Sequence, residues 1–136
     1  MTTSETALPI RIVAAVIRDD RGRVLLVRKR GTQAFMQPGG KREPGEDDAT
    51  ALARELREEL GCRVRQDSLR FLKNITAPAA NEPGRMVEAA LYEVDVAGKP
   101  AVSAEIDELR WIDVVRPPDI VLAPLTRDEV LPLLRG

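Results

Sequence analysis

Residues 47–61, DDATALARELREELG, constrain the fold more than any other stretch of this chain. Ala49, Leu52, Ala53, Leu56 and Leu60 follow the i, i+3, i+4, i+7, i+11 series and make one apolar stripe on an α-helix. Asp47 or Asp48 can cap its start, and Gly61 can supply a left-handed stop. A striped helix of this kind has to pack on a second layer. Glu55, Glu58 and Glu59 share another face, about 120° round from the stripe. That crowding has a cost. Glu55 and Glu59 are an i,i+4 like-charge pair, worth about 0.2–0.5 kcal/mol against the helix. Carboxylates near a helix C-terminus also oppose the macrodipole, by about 0.3–1 kcal/mol each. Either the face is simply solvated, or something positive sits on it.

The second layer is legible as strands. Ile10 to Arg18 is a β-branched apolar run, D-D-R-G (19–22) is a turn, and Arg23 to Lys29 reads as a partner strand, so 10–29 is expected to be a hairpin. Residues 30–46 are loop, punctuated by Pro38, Gly39, Gly40, Pro44 and Gly45. Leu69 to Ala77 and Met86 to Val96 read as two further strands around a loop at 78–85, and Leu109 to Asp113 as a short one. Thr126 and Glu129 form a T-x-x-E capping box before a last helix, Arg127 to Leu134, which Pro132 should kink or shorten. No repeat and no linker divides the 136 residues, which are enough for one domain spanning 1–136. The expected fold class is α/β of the α+β type, a mixed sheet with helices packed on its faces.

Composition narrows the chemistry. There is no histidine and a single cysteine, Cys62. Ser-His-Asp and Cys-His catalysis, an intrachain disulfide and a Cys-rich zinc site are therefore excluded. Any acid–base or metal chemistry must lean on carboxylates. The net charge is −1 with both signs interspersed, and aromatic residues make up 3%. Neither a nucleic-acid partner nor an anionic membrane is expected from that balance. The first residues, MTTSETALP, have no basic and no apolar region, so 1–8 is expected to be a flexible tail rather than a secretory signal. The longest apolar run, 12–17, is too short to span a bilayer. A cytoplasmic protein is the expectation.

Hard divalent cations favour oxygen ligands such as the three clustered glutamates. Mg²⁺ typically takes one or two carboxylates and shares phosphate oxygens of a substrate. The stretch GKREPGEDDATALARELREELGC, residues 40–62, resembles the signature box of the Nudix (MutT-like) hydrolases. The matching positions are Gly40, Glu46, Arg54, Glu55, Leu56, Glu58, Glu59, Gly61 and Cys62, with Cys62 counted as a small hydrophobe. The preceding Pro38-Gly39-Gly40 and the surrounding strand order extend the resemblance over most of the chain.

The resemblance implies an α/β/α sandwich with a mixed sheet and a loop–helix–loop catalytic element. It implies hydrolysis of a nucleoside diphosphate linked to some group X, with Mg²⁺ required and Mn²⁺ as a substitute. Carried over residue by residue, Glu55, Glu58 and Glu59 are metal ligands, and Glu58 and Glu59 are catalytic. Glu46 and Arg54 are a structural ion pair. Glu105 precedes Trp111 by six positions, as a further ligand or base does in MutT-like members, with Glu108 and Glu82 as alternatives. Arg28, Lys29, Arg30 and Lys41 surround the start of the box. Arg28 and Lys41, with Gly39 and Gly40, are the expected substrate contacts. Phe35 and Met36 can wall a base pocket or simply pack. Trp111, Cys62, Met86, Leu91 and Tyr92 read as packing residues.

For X the sequence says less. Pro78 stands about sixteen residues after the box, as in members resembling ADP-ribose pyrophosphatases, while only about ten residues precede the first strand, where dimeric ADP-ribose enzymes usually carry more; ADP-ribose or another nucleotide sugar is one reading, with X left open. A MutT-like nucleoside triphosphate pyrophosphohydrolase is the alternative, and a nucleotide-binding domain without catalysis is a third reading. Dimerisation is common in the family, and a homodimer belongs to the expectation.

Overall fold

The computed structural model describes residues 8–136. The expected tail at 1–8 lies outside the described residues except for Leu8, which is exposed. The strands are β1 (Ile10–Val16), β2 (Val24–Lys29), β3 (Phe35–Met36), β4 (Gly39–Gly40), β5 (Arg63–Val64), β6 (Arg70–Pro78), β7 (Met86–Glu93), β8 (Val96–Ala97) and β9 (Ile106–Ile112). Helix α1 (Asp48–Leu60) lies between β4 and β5.

The central sheet has the order β4-β1-β7-β6 and is mixed. β1 runs parallel to β7, from Ile10 opposite Val87 to Val16 opposite Glu93, and antiparallel to β4. A second, antiparallel sheet has the order β3-β2-β9, and β5 pairs with β8. β1 and β2 read as unbroken apolar runs because both of their faces are buried. Val13, Ala15, Ile17, Leu25 and Val27 pack with Leu52, Leu56 and Leu60 of α1. Ala14, Val16, Val24 and Leu26 pack on the opposite side with Leu125, Val130 and Leu131 of the C-terminal helical segment. The fold is therefore α+β, a mixed sheet between two helical layers, as the sequence predicted. Each fully buried leucine in these two cores contributes about 1.5–3 kcal/mol.

α1 starts and stops where its sequence dictates. The Asp47 carboxylate accepts the Thr50 N–H at 2.8 Å. Gly61 ends the helix at φ 65° and donates its N–H to the Arg57 carbonyl at 3.0 Å. Ala51 joins Leu52, Leu56 and Leu60 on the buried stripe, whereas Ala49 and Ala53 are only half-buried. The Tyr92 hydroxyl of β7 donates to Asp48 at 2.6 Å and ties the helix start to the sheet.

Several sequence expectations need correction. The 10–29 hairpin exists only at its tip, where Arg18 bridges Val24 and the Leu25 N–H reaches the Ile17 carbonyl at 3.0 Å. Beyond that point the strands part, β1 to β7 and β4, β2 to β3 and β9. The segment 86–96 is not one strand: β7 ends at Glu93, and β8 turns away to pair with β5. Met86 is 42% exposed rather than packed. Trp111 is half-buried against the α1 core, while Cys62 and Leu91 are buried as expected.

The C-terminal segment is helical over 124–135, with a π-wound stretch, Thr126–Val130, before α2 (Leu131–Arg135). Thr126 does not cap it. The residue is buried inside the helix, and its hydroxyl donates to Gln37 Oε1 at 2.6 Å. The widened turn, with the Leu131 N–H bonded to the Thr126 carbonyl, lies directly before Pro132. A proline inside a helix cannot donate and crowds the preceding turn, and a π-bulge relieves that crowding.

Candidate active site

Two glycines set the position of the site. β4 is held against β1 by Val13 opposite Gly40 and Ala14 opposite Gly39. A Cβ on Gly39 would lie 2.1 Å from the Val13 carbonyl oxygen, and its φ of 146° is one that side chains rarely adopt. A Cβ on Gly40 would lie 2.5 Å from the Glu55 carboxylate. The bare backbone lets sheet, loop and helix meet with no side chain between them.

The three box glutamates occupy different environments. Glu59 is buried, at 8% exposure, and its carboxylate accepts the Gly39 N–H at 3.1 Å. Burial pushes its pKa up from 4.5 to about 7, with the nearby Glu55 charge adding to the effect. Glu55 is half-buried, and burial raises it as well. Glu58 points outward, its side chain 48% exposed, and accepts from Arg54 Nη1 at 2.9 Å. Among the described residues no group of three side chains is gathered as a ready metal cage. The structure brings Glu55 and Glu59 together and leaves Glu58 at the rim.

Arg54 holds the surrounding loop. It forms a two-pronged pair with Glu46 at 2.7 and 2.8 Å, reaches Glu55 at 3.1 Å, and donates to the Lys41 carbonyl at 3.0 Å. That pairing pulls the Glu46 carboxyl down to about 2 and raises Arg54.

Glu55 and Glu59 open into a cavity of about 370 Å³. Its polar wall also includes Lys29, Gly39, Gly40, Lys41, Glu82 and Glu105. Apolar residues also line it, among them Ile10, Ile12, Val87, Ala123 and Leu125. Met36 lines it, whereas Phe35 is buried in the opposite core. Glu105 is exposed and follows Ala104, which adopts φ 52°, the non-glycine residue with positive φ among the described residues. The turn is tied down by the Arg30 N–H to the Glu105 carbonyl at 2.7 Å.

Two sequence expectations do not reach this cavity. Arg28 is turned away and engages Glu108 at 3.3 Å and the Thr32 carbonyl at 2.9 Å. Lys29 lines the cavity in its place, because it continues the alternation of Leu25 and Val27 on the α1 side of β2 while Arg28 falls on the other face. Glu108, held by Arg28, does not line the cavity. Gln37 is the residue that sequence reasoning missed. It is 7% exposed, forms part of the cavity wall, and stands as a lone polar residue in F-M-Q-P-G-G between buried neighbours.

A model of the NUDIX domain matches residues 8–134. The chain belongs to the NUDIX family. Over 113 residues it is 38% identical to an octanoyltransferase of Myxococcus xanthus, across 78% of this chain and 31% of that protein. Over 56 residues it is 41% identical to an 8-oxo-dGTP diphosphatase of Haemophilus influenzae, across 38% of this chain and 41% of that one. The matches span between 31% and 43% of the length of the curated relatives. The crystal structure of a MutT NUDIX hydrolase from Burkholderia pseudomallei superimposes with a TM-score of 0.75, over 94% of this chain and 97% of that one. Its identity is 24%, so that likeness bears on the fold alone. Among the described residues no helix is long and apolar enough to cross a membrane.

Proposed function

We propose that this chain hydrolyses the pyrophosphate linkage of a nucleoside diphosphate joined to a further group X, in a reaction that requires Mg²⁺ or, as a substitute, Mn²⁺. ADP-ribose or another nucleotide sugar is the substrate class. The observation that carries the reading is the meeting of Glu55 and buried Glu59 in the lining of a cavity that also has lysines and apolar residues in its lining. Such a cavity suits a ligand with a charged end and a flat apolar end.

The donor set fits a hard divalent cation: two oxygen ligands on one helix, no histidine, and a glycine where a Cβ would displace Glu55. Glu55 and Glu59 would hold the ion, with Glu58 reaching in from the rim. When bound, the cation supplies Lewis acidity and neutralises diphosphate charge. The chain does the rest by positioning. The Gly39 N–H fixes the Glu59 carboxylate. Lys29 and Lys41 stand where phosphate oxygens would accept from them. Glu105, on the facing lip, takes the proton of the attacking water, and Glu82 is the other acid within the same cavity.

A second reading is favoured by the relative named as an 8-oxo-dGTP diphosphatase: hydrolysis of a nucleoside triphosphate to monophosphate and pyrophosphate. One experiment separates the two. Purified protein with Mg²⁺ is given ADP-ribose, other nucleotide sugars, dinucleoside polyphosphates, and ordinary and 8-oxo nucleoside triphosphates, and the products are identified by chromatography. The expected result is one class cleaved far faster than the rest, with Glu59→Gln folded and reduced in kcat by about a hundredfold or more. Cleavage of nothing in the panel, or wild-type turnover by the variant, would overturn the assignment.

A further inference from the structure

Glu105 stands between two backbone irregularities, and one arginine holds both. The Ile106 N–H donates to the Ser103 carbonyl at 3.0 Å, so 103–106 is a β-turn with Ala104 and Glu105 at its centre. Ala104 takes φ 52°. A turn with positive φ at its first central position ordinarily has glycine there, because a Cβ is crowded in that conformation. Directly after the turn β9 falls out of step with β2. Arg28 faces Glu108 and Lys29 faces Ile106, so Asp107 is an extra residue with no partner across the ladder. A bulge of this kind re-aims the side chains next to it.

Arg30 follows the last residue of β2 and reaches both places. Its backbone N–H donates to the Glu105 carbonyl at 2.7 Å. Its Nη2 donates to the Ala104 carbonyl at 3.1 Å, and its Nε lies 3.5 Å from the Asp107 carboxylate. The chain is thus gripped before, at and after Glu105, and Glu105 lines the cavity shared with Glu55 and Glu59. Stability alone does not account for the grip. The Arg30 side chain is 69% exposed, and a surface ion pair contributes little to a fold. Alanine at φ 52° works against stability, but it leaves the turn fewer conformations than glycine would. Precision at Glu105 is what both features supply. A base must stay within hydrogen-bond reach of its water, and a misplacement of about 1 Å can cost about a hundredfold in rate.

We propose that Arg30 is a positioning residue, which clamps the Ala104 turn and the Asp107 bulge from the end of β2 so that the Glu105 carboxylate meets the attacking water. The inference rests on the hydrolase reading and on Glu105 as the base in it.

The test is a double-mutant cycle of Arg30→Met and Glu105→Gln. Steady-state hydrolysis with Mg²⁺ is followed on ADP-ribose, or on whichever member of the panel above the wild type cleaves fastest. Arg30→Met should keep the wild-type circular-dichroism spectrum, lower kcat by about fivefold and leave KM within about twofold. In the Glu105→Gln background the same change should lower kcat by less than about twofold, because the group it positions is already gone. A merely structural loss would multiply fully in both backgrounds. Ala104→Gly loosens the turn without removing a contact. It should lower kcat by about threefold while Tm does not fall, since glycine accepts the positive φ. If Arg30→Met does not fold, Ala104→Gly decides, and wild-type kcat in it overturns the inference. Three results with a folded Arg30→Met also overturn it and leave the hydrolase reading standing. They are losses that multiply fully in the cycle, a raised KM at unchanged kcat, which makes Arg30 a substrate contact, and wild-type turnover by Glu105→Gln. A wild type that cleaves nothing in the panel removes the hydrolase reading, and this inference with it.

Discussion

Glu59 is expected to make the metal-free protein less stable as the solution becomes alkaline. Burial lifts its pKa from 4.5 to about 7. The folded state therefore keeps a proton that the unfolded chain releases between those values. The sign follows from linkage: the stability tied to this group is whole below pH 4.5 and is lost as pH rises through 7. Complete loss at pH 8 amounts to about 3 kcal/mol. Glu59→Gln removes the charge and keeps an oxygen for the Gly39 N–H, now 3.1 Å away. In EDTA at pH 8 the variant should therefore be more stable than the wild type by up to about 3 kcal/mol, or roughly 10 °C in Tm for a chain of this size. Near pH 4.5 the two should melt together. The assay is thermal unfolding followed by circular dichroism from pH 4.5 to 8, with and without Mg²⁺. Every other carboxylate titrates in both proteins, so the difference between the curves isolates Glu59. Added Mg²⁺ should raise the wild-type Tm at pH 8 and raise that of the variant much less. A variant less stable than the wild type at pH 8, or equally sensitive to pH, would refute the burial argument.

Further outcomes follow from the same geometry. Gly40→Ala should fold, because the atom it meets is the end of the flexible Glu55 side chain, and should lose about tenfold or more in kcat by displacing that carboxylate; Gly39→Ala meets backbone and should cost about 2–4 kcal/mol in denaturant unfolding. Arg54→Lys cannot keep the two-pronged pair with Glu46 while also reaching Glu55 and Glu58, so kcat/KM should fall, and nuclease-free limited proteolysis should cut the 41–47 loop faster than in the wild type. Glu105→Gln should lower kcat, whereas the same change at Glu108, which is held by Arg28, should leave it unchanged.

What the sequence discloses divides along the range of the forces involved. Helix α1 is legible to within a residue or so at its ends, because its determinants are local: a carboxylate cap at Asp47 or Asp48, a 3.6-residue apolar period, and a glycine stop; only the alanines of its stripe differ, Ala51 being buried where Ala49 and Ala53 were expected. The pairing of β1 was not, because a strand apolar on both faces accepts any neighbour, and the choice of β7 over β2 is made by packing far along the chain. Lys29 rather than Arg28 reaches the cavity because the period of two along β2 puts it on the face of Leu25 and Val27, and which face of β2 meets the cavity is decided by the packing of α1, far along the chain. Thr126 satisfied the capping pattern three residues before Glu129, yet its hydroxyl was claimed by Gln37, 89 positions away. Glu59 sat on the acidic face of the wheel, but the close approach of Gly39, which no helical period encodes, turned that position inward.

The distribution of Arg54 explains why the glutamates are crowded. One guanidinium engages Glu46, Glu55 and Glu58, and so offsets most of the repulsion that the helix would otherwise suffer. Glu59 is left out of that network. It is the most buried of the four, it has one backbone N–H for company, and it is the carboxylate whose charge the fold disfavours most. Had the cluster been only a solvated acidic face, the exposed members would carry the strain and the buried position would hold an apolar residue, as its neighbour Leu60 does. The chain instead pairs the outer glutamates with its own guanidinium and leaves the innermost one, at a cavity wall, with no ion pair and only the more distant charge of Lys29. Positive charge is scarcest beside Glu59, and a divalent cation carrying a phosphate ligand would complete it.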